Sequence, residues 1–297
     1  MTMSSLAAGT DLGEAGLLLV GHGSTLNADS SGPTHRQAER IRRRGVFAEV
    51  RTCFWKEQPV ISAALRGFFS RRVFVVPLFI SDGYFTDEII PRELGWTGST
   101  IHNGERARQI GDRNVIYCEP VGTFPGMEDV ILARAATALA ESPGMSGPPM
   151  PADCSLFIAG HGTSRHENSR RAIEFHAGRI AQRGIYHDVH GIFMEEAPRI
   201  HEAYGLAQTG NLVVVPFFIA DGLHSQEDIP VLLGATTEDV QSRLGRGEAP
   251  WQAAAEIQGK RVWYGRSVGD EPVLAEVILE RVRQVAGSGD GIGRRVR

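Results

Sequence analysis

A chain of 297 residues is long enough for two ordinary domains, and 42% hydrophobic with 22% charged residues is ordinary globular composition. Its net charge of −4 argues against a general attraction to nucleic acid or anionic membrane, so neither partner is expected. Three scattered cysteines, Cys53, Cys118 and Cys154, lack CxxC spacing; they argue against a disulfide framework and a cysteine-rich metal site, and fit a reducing cytoplasm.

The first residues, MTMSSLAAGTDLGEAG, have no basic start before an apolar stretch and read as a loose tail. No apolar run reaches about 18 residues, so no transmembrane helix is expected. Leu17–Val20 reads as a short buried strand that ends in Gly-His-Gly. Residues 34–44, THRQAERIRRR, read as a helix stopped by Gly45. FAEVRTCFW is the second strand and PVISAALRGFF the second helix. VFVVPLFI is the third strand, continuous and β-branched as a strand covered on both faces should be. NVIYCEP is the fourth strand and GMEDVILARAATALA the helix that follows. ESPGMSGPPMPAD, residues 141–153, is rich in Pro and Gly and reads as a linker.

Beyond it the order repeats, with strands LFIAG, DVHGIFM, LVVVPFFI and KRVWYG and a last helix PVLAEVILERVRQVA. His22 and His161 are 139 residues apart (161 − 22 = 139). The same offset pairs Glu57 with Glu196, Pro77 with Pro216, Asp82 with Asp221, Pro91 with Pro230 and Gly95 with Gly234. Roughly a third of the positions between Leu17 and Gly95 are identical at this offset, so the chain is a two-fold duplication. The expected fold is α/β: two tandem homologous domains, 1–140 and 154–297, each a parallel sheet of about four strands flanked by helices.

Open parallel sheets bind ligands at the carboxyl ends of their strands. In the second copy that edge carries His161 after the first strand, Glu195 and Glu196 after the second, and His224 after the third. Two imidazoles and a carboxylate suit a divalent first-row metal with open coordination positions. The first copy keeps His22 but has Lys56 in place of Glu195 and Phe85 in place of His224. A role in folding alone would have kept these residues in both copies. One working metal site, in the second copy, is therefore expected, with His22 a remnant or a substrate contact.

GHG after the first strand, FMEEAP after the second and VVPFFIADGLHSQEDIP after the third resemble the class II tetrapyrrole chelatases. The nearest type is the sirohydrochlorin cobalto- or ferrochelatase in its long form with two fused halves. The resemblance covers roughly residues 17–285, and His224 to Pro230 (HxxxDIP) is its most specific piece. It implies two α/β halves facing a shared cleft that admits the tetrapyrrole, and ATP-independent insertion of a divalent metal. Its metal-binding histidines match His161 and His224, and its glutamate matches Glu195. The metal, Co²⁺ or Fe²⁺ and chemically also Ni²⁺, is then a substrate, and no retained cofactor is implied. The first half departs from the pattern with YFTDEIIP.

Sirohydrochlorin is a polycarboxylate, so donors are expected around the cleft. Arg165, Arg170 and Arg171, beside His166, follow the second GHG, and Arg36, Arg40, Arg42, Arg43 and Arg44 lie on the matching helix of the first copy. Against this, Arg42–Arg44 at a helix end suit a solvated, dipole-complementing cap. The loops at 96–112 and 235–260 are expected to rim the cleft. GRSVG, residues 265–269, matches a nucleophile elbow, but no histidine follows Ser267 to complete a hydrolase triad. The competing reading is a metal or tetrapyrrole carrier that uses the same ligands without turnover.

Overall fold

The computed structural model describes residues 12–25, 28–96, 106–141, 147–162, 167–252 and 254–287. The first half has strands β1 (Gly16–Gly21), β2 (Glu49–Phe54), β3 (Arg72–Pro77), β4 (Ala107–Ile110) and β5 (Arg113–Tyr117). Its helices are α1 (Gly32–Arg42), α2 (Ile61–Ala64), α3 (Ile90–Glu93) and α4 (Met127–Ala140). The second half has β6 (Cys154–Gly160), β7 (Asp188–Phe193), β8 (Asn211–Pro216), β9 (Ala255–Ile257) and β10 (Lys260–Tyr264). Its helices are α5 (Asn168–Gln182), α6 (Ala203–Leu206), α7 (Ile229–Leu232), α8 (Thr237–Gly245) and α9 (Leu274–Gly287).

The sheets run β2-β1-β3-β5-β4 and β7-β6-β8-β10-β9. The first four strands of each order are parallel, and the fifth is antiparallel to its neighbour. That fifth strand is an addition to the four expected. It closes a two-residue hairpin, with Ile110 paired to Arg113 and Ile257 to Lys260. Gly111 and Gly259 sit there at φ +61° and +73°, as such a turn requires.

β2 and β7 begin at 49 and 188, a shift of 139. β5 and β10 begin at 113 and 260, and α4 and α9 at 127 and 274, a shift of 147. The eight extra residues (147 − 139 = 8) fall in the stretch that carries α8, which packs beside the turn bearing His224. Of the first connecting segment, residues 97–105 lie outside the described residues. The expected second helix is one turn, Ile61–Ala64, followed by a 3₁₀ turn at Leu65–Gly67. Only Ile61 and Ala64 of that turn are buried, too short an apolar face to hold a longer helix.

Alternation along the strands decides where the core lies. Leu17 and Leu19 of β1, with Phe74 and Val76 of β3, join Leu156, Ile158, Val213 and Val215 of the second half in one cluster common to both sheets. Leu18, Val20, Val73 and Val75 face a smaller cluster on the outer side, with a counterpart around Phe157, Val214 and Val262. The common core is filled by helices that change sides. α4 follows the first sheet and packs on β8 and β10 of the second, while α9 packs on β3 of the first. Ile278 of α9 is fully buried, so its truncation to Ala costs about 2–5 kcal/mol.

The halves meet through a pseudo-twofold set of contacts. Gln37 of α1 donates to the carbonyls of Gly269 and Glu271, both at 2.8 Å. At the matching place in α5, His176 Nε2 is 2.7 Å from the carbonyl of Gly122. A Cβ on Gly122 would stand 2.2 Å from Ile80 Cα, and one on Gly269 1.7 Å from the Ile219 carbonyl oxygen. Glycine is what lets these loops close on the ends of β3 and β8. The carboxyl edges of both sheets thus lie at the junction.

Candidate metal and tetrapyrrole site

Each GHG turn is built over a glutamate. Gly23 and Gly162 have φ +66° and +65°, and a Cβ on Gly162 would lie 2.8 Å from Glu196 Oε1. A side chain there meets both the carboxylate and the left-handed backbone penalty. Glu57 accepts the Ser24 N–H at 3.0 Å, and Glu196 accepts Arg170 Nη1 at 3.1 Å. The matched pair Glu57 and Glu196 therefore supports the turn in both halves.

Glu195 is placed differently. Its N–H donates to the His161 carbonyl at 3.1 Å, and its Oε1 faces His161 Nε2 at 3.7 Å. Two donors about 2.1 Å from one tetrahedral ion stand roughly 3.4 Å apart, so the observed gap is close to that of a shared ion.

His224 opens a π-helical turn, His224–Asp228, matched by Phe85–Ile89 in the first half. The rings of His161 and His224 lie 4.9 Å apart, centroid to centroid, at 78°. His161 Nδ1 is 2.6 Å from the Gly162 carbonyl, and His224 Nδ1 is 2.7 Å from Asp228 Oδ2. A carbonyl and a carboxylate can only accept, so both rings carry their proton on Nδ1. The Nε2 lone pairs are left for a metal. The side chains are open to solvent, at 37% for His161, 43% for His224 and 55% for Glu195. Among the described residues no group of three or more His, Cys, Asp or Glu is drawn in tightly enough to enclose an ion. The arrangement is an open pair of imidazoles with a carboxylate on its flank.

The turn is pinned from behind by groups that sequence reasoning missed. Tyr264 of β10 donates its hydroxyl to the Ser225 carbonyl at 2.6 Å, as Tyr117 does to Thr86 at 2.7 Å. Both tyrosines recur at the 147 offset, a signal visible only once the second offset is known. Asp228, which aligns with Ile89 at the 139 offset, is the other such group. Beside the turn, Asp221 accepts from the Ser267 N–H at 2.8 Å and from Arg266 at 2.9 Å. Burial alone would raise its carboxyl; those hydrogen bonds prevail and hold it below the usual carboxylate range. Asp82, its counterpart, has no such hydrogen bonds among the described residues and is raised by burial, then by Asp87 and Glu119. Ser267 of the GRSVG stretch donates its hydroxyl to the Ala220 carbonyl at 3.2 Å, a structural role.

The arginines divide. Arg165 and His166 lie outside the described residues. Arg170 is engaged, donating to Glu174, Glu196 and the Ala197 carbonyl and lying over the Phe193 ring. Arg171 is exposed and pairs with Glu167. Arg42 and Arg43 pair with Glu39, and Arg44 with Glu276 of α9. Arg36 and Arg40 line a cavity of about 390 Å³ between the halves, with Gln226, Arg266 and Asp270 opposite. Its lining includes Gln226 of the π turn but not His161, His224 or Glu195.

In the first half, His22 Nδ1 likewise meets the carbonyl of Gly23, at 2.8 Å. Its surroundings are aromatic, with Trp55 at 5.5 Å and Phe85 at 5.3 Å between ring centroids. Neither neighbour can ligate an ion.

The chain is 39% identical over 287 residues to a Halobacterium salinarum protein named "Probable sirohydrochlorin cobaltochelatase", covering 93% of this chain and 94% of that one. A Methanopyrus kandleri sirohydrochlorin cobaltochelatase matches 45% of this chain and 97% of its own length at 32% identity. A Deinococcus radiodurans multi-domain protein described as structurally similar to chelatases superposes with a TM-score of 0.73 at 29% identity, over 94% of this chain. The chain spans 56% of that protein's length. The Bacillus subtilis sirohydrochlorin chelatase SirB in complex with cobalt shares the fold, with a TM-score of 0.62 at 15% identity over 94% of this chain and 97% of its own. The CbiX family model matches residues 16–138 and again 155–285; the chain belongs to the CbiX family, with one copy of its domain in each half.

Proposed function

We propose that the chain inserts a divalent first-row metal, Co²⁺ or Fe²⁺, into sirohydrochlorin without ATP. The observation that carries this reading is the open pair of His161 and His224 with Glu195 beside His161 in one half, and aromatic and cationic residues at the matching places of the other. The similarity over nearly the whole chain to a protein named as a sirohydrochlorin cobaltochelatase supports the choice of macrocycle.

The chemistry follows from the donor set. The ion enters as substrate and leaves in the product, so no cofactor is retained. Two neutral imidazoles hold it by Nε2, and their openness leaves positions for the pyrrole nitrogens. Four nitrogens replace the protein ligands, and two pyrrole N–H protons must depart for the product to be neutral at its centre. Glu195, or a histidine released from the metal, accepts them. Borderline nitrogen ligands favour first-row ions over Mg²⁺ without choosing between cobalt and iron.

The test is an anaerobic absorbance assay of purified protein with sirohydrochlorin and Co²⁺ or Fe²⁺, set against the uncatalysed rate. Acceleration that is lost in His161→Ala and His224→Ala supports the reading. Tight binding of metal or macrocycle with no acceleration replaces it with a carrier.

A further inference from the structure

The first half does not merely lack a metal site; it has something else in that place. Trp55 and Phe85 lie edge to face at 4.8 Å, and Phe79 stacks on Phe85 at 6.1 Å. Lys56, at the position of Glu195, reaches over the Trp55 ring at 5.0 Å. Rings that only filled the space of lost ligands would be buried. Instead Trp55 is 38% exposed and neighbouring Tyr84 56% exposed. A part-exposed aromatic cluster with a cation over one of its rings is matched to a flat, conjugated ring bearing carboxylates.

The group also borders the same junction as the histidine pair. Asn168, at the start of the helix behind the second GHG turn, donates to the carbonyl of Asp82 at 3.3 Å. Asp82 lies two residues before Tyr84 on the loop that leads into the first-half π turn.

We propose that Trp55, Phe85 and Lys56 form a metal-free subsite on the first half that binds the planar, polycarboxylated macrocycle by ring-face contact and one carboxylate pairing. The inference rests on the chelatase reading for the identity of the macrocycle, and it assigns the first half a binding task separate from metal delivery. The reversal from glutamate to lysine then has a reason: one half attracts the cation, the other the anionic ring.

The test is equilibrium dialysis of the full chain with metal-free sirohydrochlorin. Trp55→Ala is expected to raise Kd by about tenfold, the size of a lost aromatic contact plus part of its area. Trp55→Phe should recover most of the affinity. Lys56→Ala should raise Kd several-fold at low salt and little at high salt, as an exposed ion pair does. Circular dichroism and Co²⁺ titration, the latter reading the His161 and His224 pair, serve as folding controls and should be unchanged. Wild-type affinity in both Trp55→Ala and Lys56→Ala would overturn the subsite while leaving the chelatase reading intact. A wild-type chain that binds the macrocycle but never metallates it would overturn the chelatase reading and leave the subsite.

Discussion

His224 and Asp228 are joined across one π turn, Nδ1 to Oδ2 at 2.7 Å, and the first half has Phe85 and Ile89 at the same two places. The histidine and the carboxylate that orients it are thus present together in one half and absent together in the other. Asp228→Ala should lower Co²⁺ affinity by roughly ten- to a hundredfold, the usual effect of removing a ligand's hydrogen-bond partner. Asp228→Asn, which still accepts a hydrogen bond, should recover part of it. A Co²⁺ titration followed by visible absorption reads both, and equal affinities throughout would separate Asp228 from the site.

His161→Ala or His224→Ala should reduce metal insertion by at least about a hundredfold, as for loss of a ligand or base. His22→Ala should cost far less. Glu195→Gln should slow insertion with little change in melting temperature. Glu196→Gln should do the reverse, since Glu196 braces the turn beneath Gly162 and holds Arg170.

Among the arginines, Arg170→Ala should cost about 1–2 kcal/mol of stability, because it removes a hydrogen bond to Glu196, one to the Ala197 carbonyl and the contact with the Phe193 ring. Arg165→Ala and Arg171→Ala are expected to raise KM for sirohydrochlorin more than they lower kcat, the mark of lost uniform binding. Unchanged kinetics in both would assign them to the solvated surface.

His176 gives the junction a pH dependence. The ring is fully buried, and burial, opposed by the Gly122 carbonyl and Glu128, lowers its pKa below 6.5. Below pH 6.5 the unfolded chain therefore binds a proton that the folded chain resists, so stability falls with acidification through that range and is recovered above it. His176→Gln copies Gln37, which occupies the equivalent place without titrating. Urea melts between pH 7 and pH 5, on the order of the ordinary imidazole range, should show a shallower acid loss in the variant.

The first half can also be turned into a copy of the second. Lys56→Glu, Phe85→His and Ile89→Asp together place a carboxylate, an imidazole and its orienting acid beside His22. The triple variant should bind a second Co²⁺, seen as a doubled endpoint in the titration, and lose affinity for the free macrocycle. An unchanged endpoint would mean that the GHG backbone of the first half is not a competent frame.

Much of this was legible in the sequence because it depends on local chemistry. β-branched runs marked β3 and β8, GHG marked the turns, and a constant offset marked the duplication and the imbalance between His224 and Phe85. What escaped depends on partners far along the chain. The fifth strands are only four and three residues long, and pair because a two-residue turn returns them to a sheet edge. Proximity along the chain groups Arg170 with Arg165 and Arg171, yet its partner Glu196 lies 26 residues on. Asp228 and Tyr264 act through His224 and Ser225, and only the folded π turn brings them there.

The crossing of α4 and α9 has a consequence for how the gene product can be divided. Each half covers only part of its inner sheet face with its own helix, α1 or α5, and takes the rest from the other half, so residues 12–141 alone would expose the side of β3 that α9 protects and carry α4 without the strands it packs on. A cut in the linker should leave two fragments that hold together as a noncovalent pair, and each fragment made singly should aggregate or seek a second copy of itself. The duplicated chain is in this sense a dimer fused head to tail, and on the chelatase reading the fusion is what allows one site to be kept for metal while the other is free to change.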